Sequence, residues 1–237
     1  MSQLSSAELT RRSLLAGAAA GASSLVAAPG VRAAPAAVFG LPVGALHGVS
    51  AVIPVRRSFA LVGVQWRGAR RARIELRARL AAGGWSRWVN ASVAGHGPDR
   101  PRHVDLNLGE PLWSGGADAV QLRSAAPVSG VRLQFVAGAE ITARLASAFP
   151  QAEPQLPAGP GQPPIIARAA WAHGHAPPKY PPAYGDVRLG FVHHTDNLNG
   201  YGAGEVASMI HNIYLYHRYS NGWNDIGYNF VIDAFGR

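Results

Sequence analysis

Four side chains in the last fifth of this 237-residue chain could do chemistry together. His193 and His194 are adjacent, His217 follows, and Tyr228 comes shortly after. Neutral imidazole ligates transition metals and shuttles protons near neutral pH. A phenol beside a metal-bound water can orient that water and hydrogen-bond a developing oxyanion. Each residue also has a plainer reading. The histidine pair can be structural, His217 can complement the C-terminal dipole of a helix, and Tyr228 can pack on Phe230 and Ile232. His173 and His175, in a Gly/Pro loop, read as surface residues. The chain has no cysteine, so no thiolate is available.

The elements that must position these groups follow from hydrophobic period. Val187 to Thr195 alternates as a strand does. His193 then shares a face with Val187, Leu189 and Phe191, and His194 with Arg188, Gly190 and Val192. Glu205 to Tyr219 has helical period, with Val206, Met209, Ile210, Ile213 and His217 on one stripe. Asn221-Gly222 ends that helix. Gly222 to Tyr228 is a tight connection, Tyr228 to Asp233 a second strand, and Ala234 to Arg237 the start of a hairpin turn. Strand, crossover helix and strand make an α/β unit. Such a unit cannot cover both faces of a sheet, so residues 164–237 are expected to be the N-terminal part of a larger α/β domain.

Upstream, residues 41–148 have period two with turn signals between short runs. Phe59 to Trp66 reads as a largely buried strand, Arg73 to Arg77 as a half-buried one, and Gly83-Gly84 turns into Trp85 to Val89. Ala119 to Arg123 and Val131 to Phe135 alternate again. An all-β sandwich is expected. Trp66, Trp85, Trp88 and Trp113 could form a sugar platform, but a domain this size needs large rings in its core, which is the favoured reading. Residues 149–163, rich in Pro, Gln, Ala and Gly, read as an extended linker.

Composition narrows the partners. With 22 Lys+Arg against 13 Asp+Glu the net charge is +9, nearly all from arginine. That fits an anionic partner such as a cell-wall polymer, nucleic acid or a membrane surface, while the arginines, scattered along apparent strands, read first as a solvated basic face. No basic run is dense or interleaved with aromatics in the manner of a nucleic-acid surface, so no nucleic acid is expected. Residues 1–33 read as a twin-arginine signal peptide: Arg11-Arg12, an apolar run from Ala16 to Ala28, and Val31-Arg32-Ala33 as the cleavage site. The run is too short and Gly-rich to span a bilayer. The expectation is a secreted or cell-wall protein, monomeric, with no stable membrane insertion once the signal is removed.

The run FVHHT, a helix ending in YH, and GWNDIGYNFVID followed by FGR, in that order, resemble the peptidoglycan-recognition/type 2 N-acetylmuramoyl-L-alanine amidase family. PPIIARAAWA upstream is similar to that family's opening segment. The resemblance covers residues 164–237. WSRW and the later EPLWSGGADAVQLR resemble the β-rich domain preceding the amidase in some actinobacterial homologues. The resemblance implies that His193 is a zinc ligand and that Tyr228 assists at the metal. It also implies that His217 lines the groove for the stem peptide, that His194 and Thr195 border it, and that Asn224 and Asp225 are turn-formers first, with a substrate contact as their second reading. The implied reaction is hydrolysis of the lactyl–L-alanine amide of peptidoglycan by a zinc-activated water. The family's second histidine and its cysteine or carboxylate ligand are expected beyond Arg237. One ligand does not hold zinc, so the chain as written is expected to be inactive. The alternatives are a recognition module that binds muramyl peptide without cutting it, and a remnant whose β region alone binds wall polymer.

Overall fold

The computed structural model describes residues 37–91, 93, 105–137, 160–161, 163–172, 176–182, 184–192, 194–195 and 197–237. The signal-peptide reading of 1–33 and all but three residues of the 149–163 linker lie outside these. Six strands carry the N-terminal part: β1 (Val38–Val49), β2 (Ile53–Arg67), β3 (Ile74–Leu80), β4 (Val89–Asn90), β5 (Leu106–Leu108) and β6 (Leu112–Ala137). The two runs expected at 119–123 and 131–135 are one continuous 26-residue strand, β6.

β6 organises the sheet. β1 pairs along it antiparallel, from Val38 opposite Val136 to Val49 opposite Arg123, and β3 pairs antiparallel with its residues 117–124. β2 meets β6 twice. Ile53 to Val62 lie opposite Val120 to Leu112, and Phe59 to Arg67 opposite Ala137 to Ser129. In both runs the β6 number falls as the β2 number rises, which is the antiparallel sense. Leu61 therefore has Trp113 on one edge and Val136 on the other, and the sheet wraps back on itself. Gly83 and Gly84, at φ 95 and 77, make the left-handed turn after β3 that a side chain would oppose.

One main core fills the β region, with Phe59, Val62, Trp66, Leu76, Leu122, Leu133 and Phe135 among its buried members. All eight residues from Phe59 to Trp66 are buried. Their two faces have different partners: Val62, Val64 and Trp66 enter the main core, while Leu61 enters a second cluster with Met209, Ile213 and Tyr216 of the C-terminal helix. The tryptophans divide. Trp66 fills the main core and Trp113 the second cluster. Trp85 and Trp88 are only half-buried and lie outside both clusters, which corrects the expectation that all four are core residues.

The helix forms where its period predicts. A turn of 3-10 helix (Ala203–Glu205) leads into an α-helix, Val206–Leu215, and a π-helical turn, Tyr216–Ser220. Glu205 closes the start by accepting the Gly202 N–H at 2.7 Å. The expected single stripe is not what is buried, because Ser208, Met209 and every residue from His211 to His217 are covered. The reason is that the helix is enclosed, with the β region on one side and Trp171, Ala172, Ala176 and Tyr228 around it.

Neither run expected to be a strand in the C-terminal part forms one among the described residues. Among the described residues of 163–237 no strand occurs. Val187, Leu189, Phe191 and Val192 are 75–100% exposed, and Phe230 and Ile232 are exposed as well. An alternating run becomes a strand only when a neighbouring strand takes its backbone hydrogen bonds, and among the described residues neither run has a ladder partner. Asp233 to Arg237 does make the predicted turn, with the Asp233 carboxylate accepting the Phe235 and Arg237 N–H groups at 2.9 Å.

Candidate functional site

The π-helical turn is the local device that builds the site. It is closed by the Asn221 N–H on Tyr216 O at 3.0 Å, and its first two side chains leave on different sides, as neighbours on any helix do. Tyr216 enters the β region, fully buried, and its hydroxyl donates to Gly109 O at 3.2 Å. Burial pushes that phenol's pKa far above its usual value. His217, 1% exposed, packs with the Gly222–Tyr228 connection. Its ring lies 4.3 Å from that of Trp223 and 5.7 Å from that of Tyr228.

The connection is held from three directions. The Gly227 N–H donates to His217 Nδ1 at 3.0 Å, which places the ring proton of a neutral His217 on Nε2. Gly227 has to be glycine, since a Cβ would sit 2.6 Å from the Trp223 ring. Asn224 bonds the backbone of Tyr180 through both side-chain atoms, accepting at 2.7 Å and donating at 3.3 Å. Asp225 receives a two-pronged ion pair from Arg168, at 2.7 and 2.6 Å, and also accepts the Ile226 N–H at 2.7 Å. Arg168 donates to Ala176 O as well and stacks on Trp171 and Tyr214, 5.0 and 5.6 Å from their ring centres. The Tyr214 hydroxyl donates to Pro177 O, and desolvation raises its pKa to about 12, so it serves as a packed donor rather than an acid.

The structure thus brings His217 and Tyr228 side by side and shows Asn224 and Asp225 as turn-formers, while His193 lies outside the described residues. His194 is exposed and Thr195 half-buried. Thr195 Oγ1 accepts from Asn197, whose side-chain oxygen takes the Trp113 N–H at 3.0 Å, so Thr195 is anchored at the start of β6. His173 and His175 also lie outside the described residues. Sequence reasoning missed the bond between Arg168 and Asp225 and the stacking of Trp223 on His217. The signals were present, an Arg three residues before Trp171 and an acid inside the GWNDIGY run, but nothing in the sequence says they meet.

Among the described residues no three His, Cys, Asp or Glu side chains gather where they could hold a metal ion. The donor set that zinc needs is not supplied by these residues, and His217 Nδ1 is already engaged by a backbone N–H. What the cluster can do by itself is present a phenol and an indole beside a fixed imidazole.

A family model described as Rv3811 N-terminal galactose-binding domain-like matches residues 19–160, which include all six strands. Neither the curated proteins nor the solved structures contain a match to the chain.

Proposed function

We propose a function from the premise that this chain belongs to the Rv3811 N-terminal galactose-binding domain-like family. On this reading the β region is the glycan-facing part of a secreted, cell-wall protein, exported through the twin-arginine signal at Arg11-Arg12. Residues 164–237 belong to a peptidoglycan amidase of the zinc-dependent N-acetylmuramoyl-L-alanine type. The substrate is the lactyl–L-alanine amide, and the partner is peptidoglycan rather than nucleic acid. Among the described residues no helix is long and apolar enough to cross a membrane.

The observation that carries the amidase reading is the Arg168–Asp225 pair. It ties the ARAAW segment to the NDIGY turn, the two parts of the sequence that resemble that family, and sets Tyr228 beside His217. In the reaction Tyr228 would donate its phenolic proton toward the oxyanion of the attacked amide. His217, fixed through Nδ1, would hold the turn that carries Tyr228. His194 and Thr195 would contact the stem peptide. Zinc, when bound, would supply the activated water, with His193 as one ligand. The other ligands have no counterpart in this sequence, and no step is derived through the metal.

The test uses protein made from its complete reading frame, incubated with peptidoglycan, with new amino termini on L-alanine counted. The amidase reading expects such termini, their loss with a chelator, and a fall of about a hundredfold for Tyr228→Phe. A second reading is recognition of the muramyl peptide without cleavage, for which the phenol and indole beside the fixed His217 ring suffice. Sedimentation with the cell wall but no new L-alanine termini would replace the first reading by the second.

A further inference from the structure

Trp85 and Trp88 are half-buried and belong to neither apolar cluster. After the Gly83-Gly84 turn the chain folds back along β3, with Trp85 bridged to Arg79. This sets both indoles against Arg77, whose guanidinium carbon is 4.8 Å from the Trp85 ring centre and 4.7 Å from that of Trp88. Gln121 on β6 fixes the guanidinium by accepting from Nε at 3.0 Å and from Nη2 at 2.6 Å. Arg123 stacks next in line, 4.6 Å from the Trp88 ring.

The charges around this row are unequal. Arg123 is matched by Glu75, at 2.7 and 3.0 Å, and Arg79 by Asp118, at 2.7 Å. Hydrogen bonds from Arg123 hold the Glu75 carboxyl below the usual glutamate range, so that acid is committed to its partner. Arg77 has a neutral amide instead, and among the described residues no carboxylate pairs with it. Its Nη1 hydrogens have no acceptor there either. A guanidinium clamped between two rings has already lost its side-chain freedom and part of its water. A bound carboxylate would therefore gain a charge-assisted bond at little further ordering cost. The half-buried indoles beside it leave apolar surface for the C–H groups of a sugar ring.

We propose that Arg77, Trp85 and Trp88 form a binding site for carboxylate-bearing saccharides on the outer face of β3 and β6. It rests on the glycan-facing reading of the β region and is independent of the Tyr228 cluster. The guanidinium takes the carboxylate and the indoles take the sugar.

The experiment titrates the full chain with N-acetylmuramic acid, with N-acetylglucosamine, which lacks the lactyl carboxylate, and with lactate alone. The site predicts that the muramic acid binds about tenfold or more tighter than either of the others, and that added salt erodes the preference. Arg77→Gln should abolish it. Gln121→Glu should abolish it too, by giving Arg77 an internal carboxylate while leaving the fold intact, which guards against an Arg77 variant that fails to fold. Equal binding of acidic and neutral sugars, or a preference that survives Gln121→Glu, would overturn the site and leave the glycan-facing reading standing. No binding of any saccharide would end both.

Discussion

Phe59 to Trp66 and Val187 to Val192 are both apolar runs of strand type, yet the first is wholly buried and the second lies in solvent. The first has β6 along one edge, β6 and then β5 along the other, the main core on one face and the C-terminal helix on the other. The second has neither ladder nor layer among the described residues. Alternation therefore specifies a face that is ready to be buried, and partners from elsewhere in the chain decide whether it is. The helix points the same way. It lies against β2 and β6 through Met209, Ile213 and Tyr216, so the two parts share a core.

That contrast can be broken most severely at Gly63. Its missing Cβ leaves the space occupied by the Tyr216 hydroxyl. Gly63→Val should cost about 3 kcal/mol or more, at the upper end for overpacking, and expel the helix. Chemical denaturation checks it. The same substitution in a Tyr216→Ala background should cost far less, because the clash is gone. Equal costs in both backgrounds would mean the helix does not seat there.

A smaller effect is expected at the turn. Asp225→Ala removes the partner of a partly exposed Arg168 and should destabilise by about 1–2 kcal/mol. Near-ultraviolet circular dichroism should show Trp223 losing its fixed environment. An unchanged spectrum would detach the pair from the Tyr228 cluster.

The β region should also respond weakly to acid through Glu75. Its carboxyl is held below the ordinary value of 4.5, so its contribution is complete above that value and fades as pH falls through the lowered one. The melting difference between wild type and Glu75→Gln should accordingly shrink as the pH drops below 4.5. A constant difference would contradict the pairing with Arg123.

The least effect is expected at Val187→Thr and Phe191→Gln, each within about 0.5 kcal/mol because no contact is lost. A large loss at either position would mean that this run is buried after all, and would erase the contrast with β2.

Much of the β region was legible because period and turns are local. The buried run at 59–66, the alternating run near Arg73 to Arg77 and the Gly83-Gly84 turn all appear in the structure. The fusion of two expected strands into β6 was not legible, since the intervening Ser124 to Gly130 does not alternate and is held extended by distant partners on β1, β2 and β3. At the candidate site the helix, the tight connection and the turn-forming roles of Asn224 and Asp225 were legible. The partner of Asp225 was not. Arg168 is 57 residues away in sequence, and no periodicity links the two.

By itself the amino-acid sequence determined where faces, turns and charges lie, because hydrophobic period, glycine and side-chain type act over a few residues. It did not determine what each face meets. Tertiary packing decided that Tyr216 passes into the notch at Gly63 and that Arg77 stands between two indoles. It also decided that Val187 to Val192 is left uncovered. Those outcomes depend on which distant surfaces fill one another's space and take up one another's hydrogen bonds.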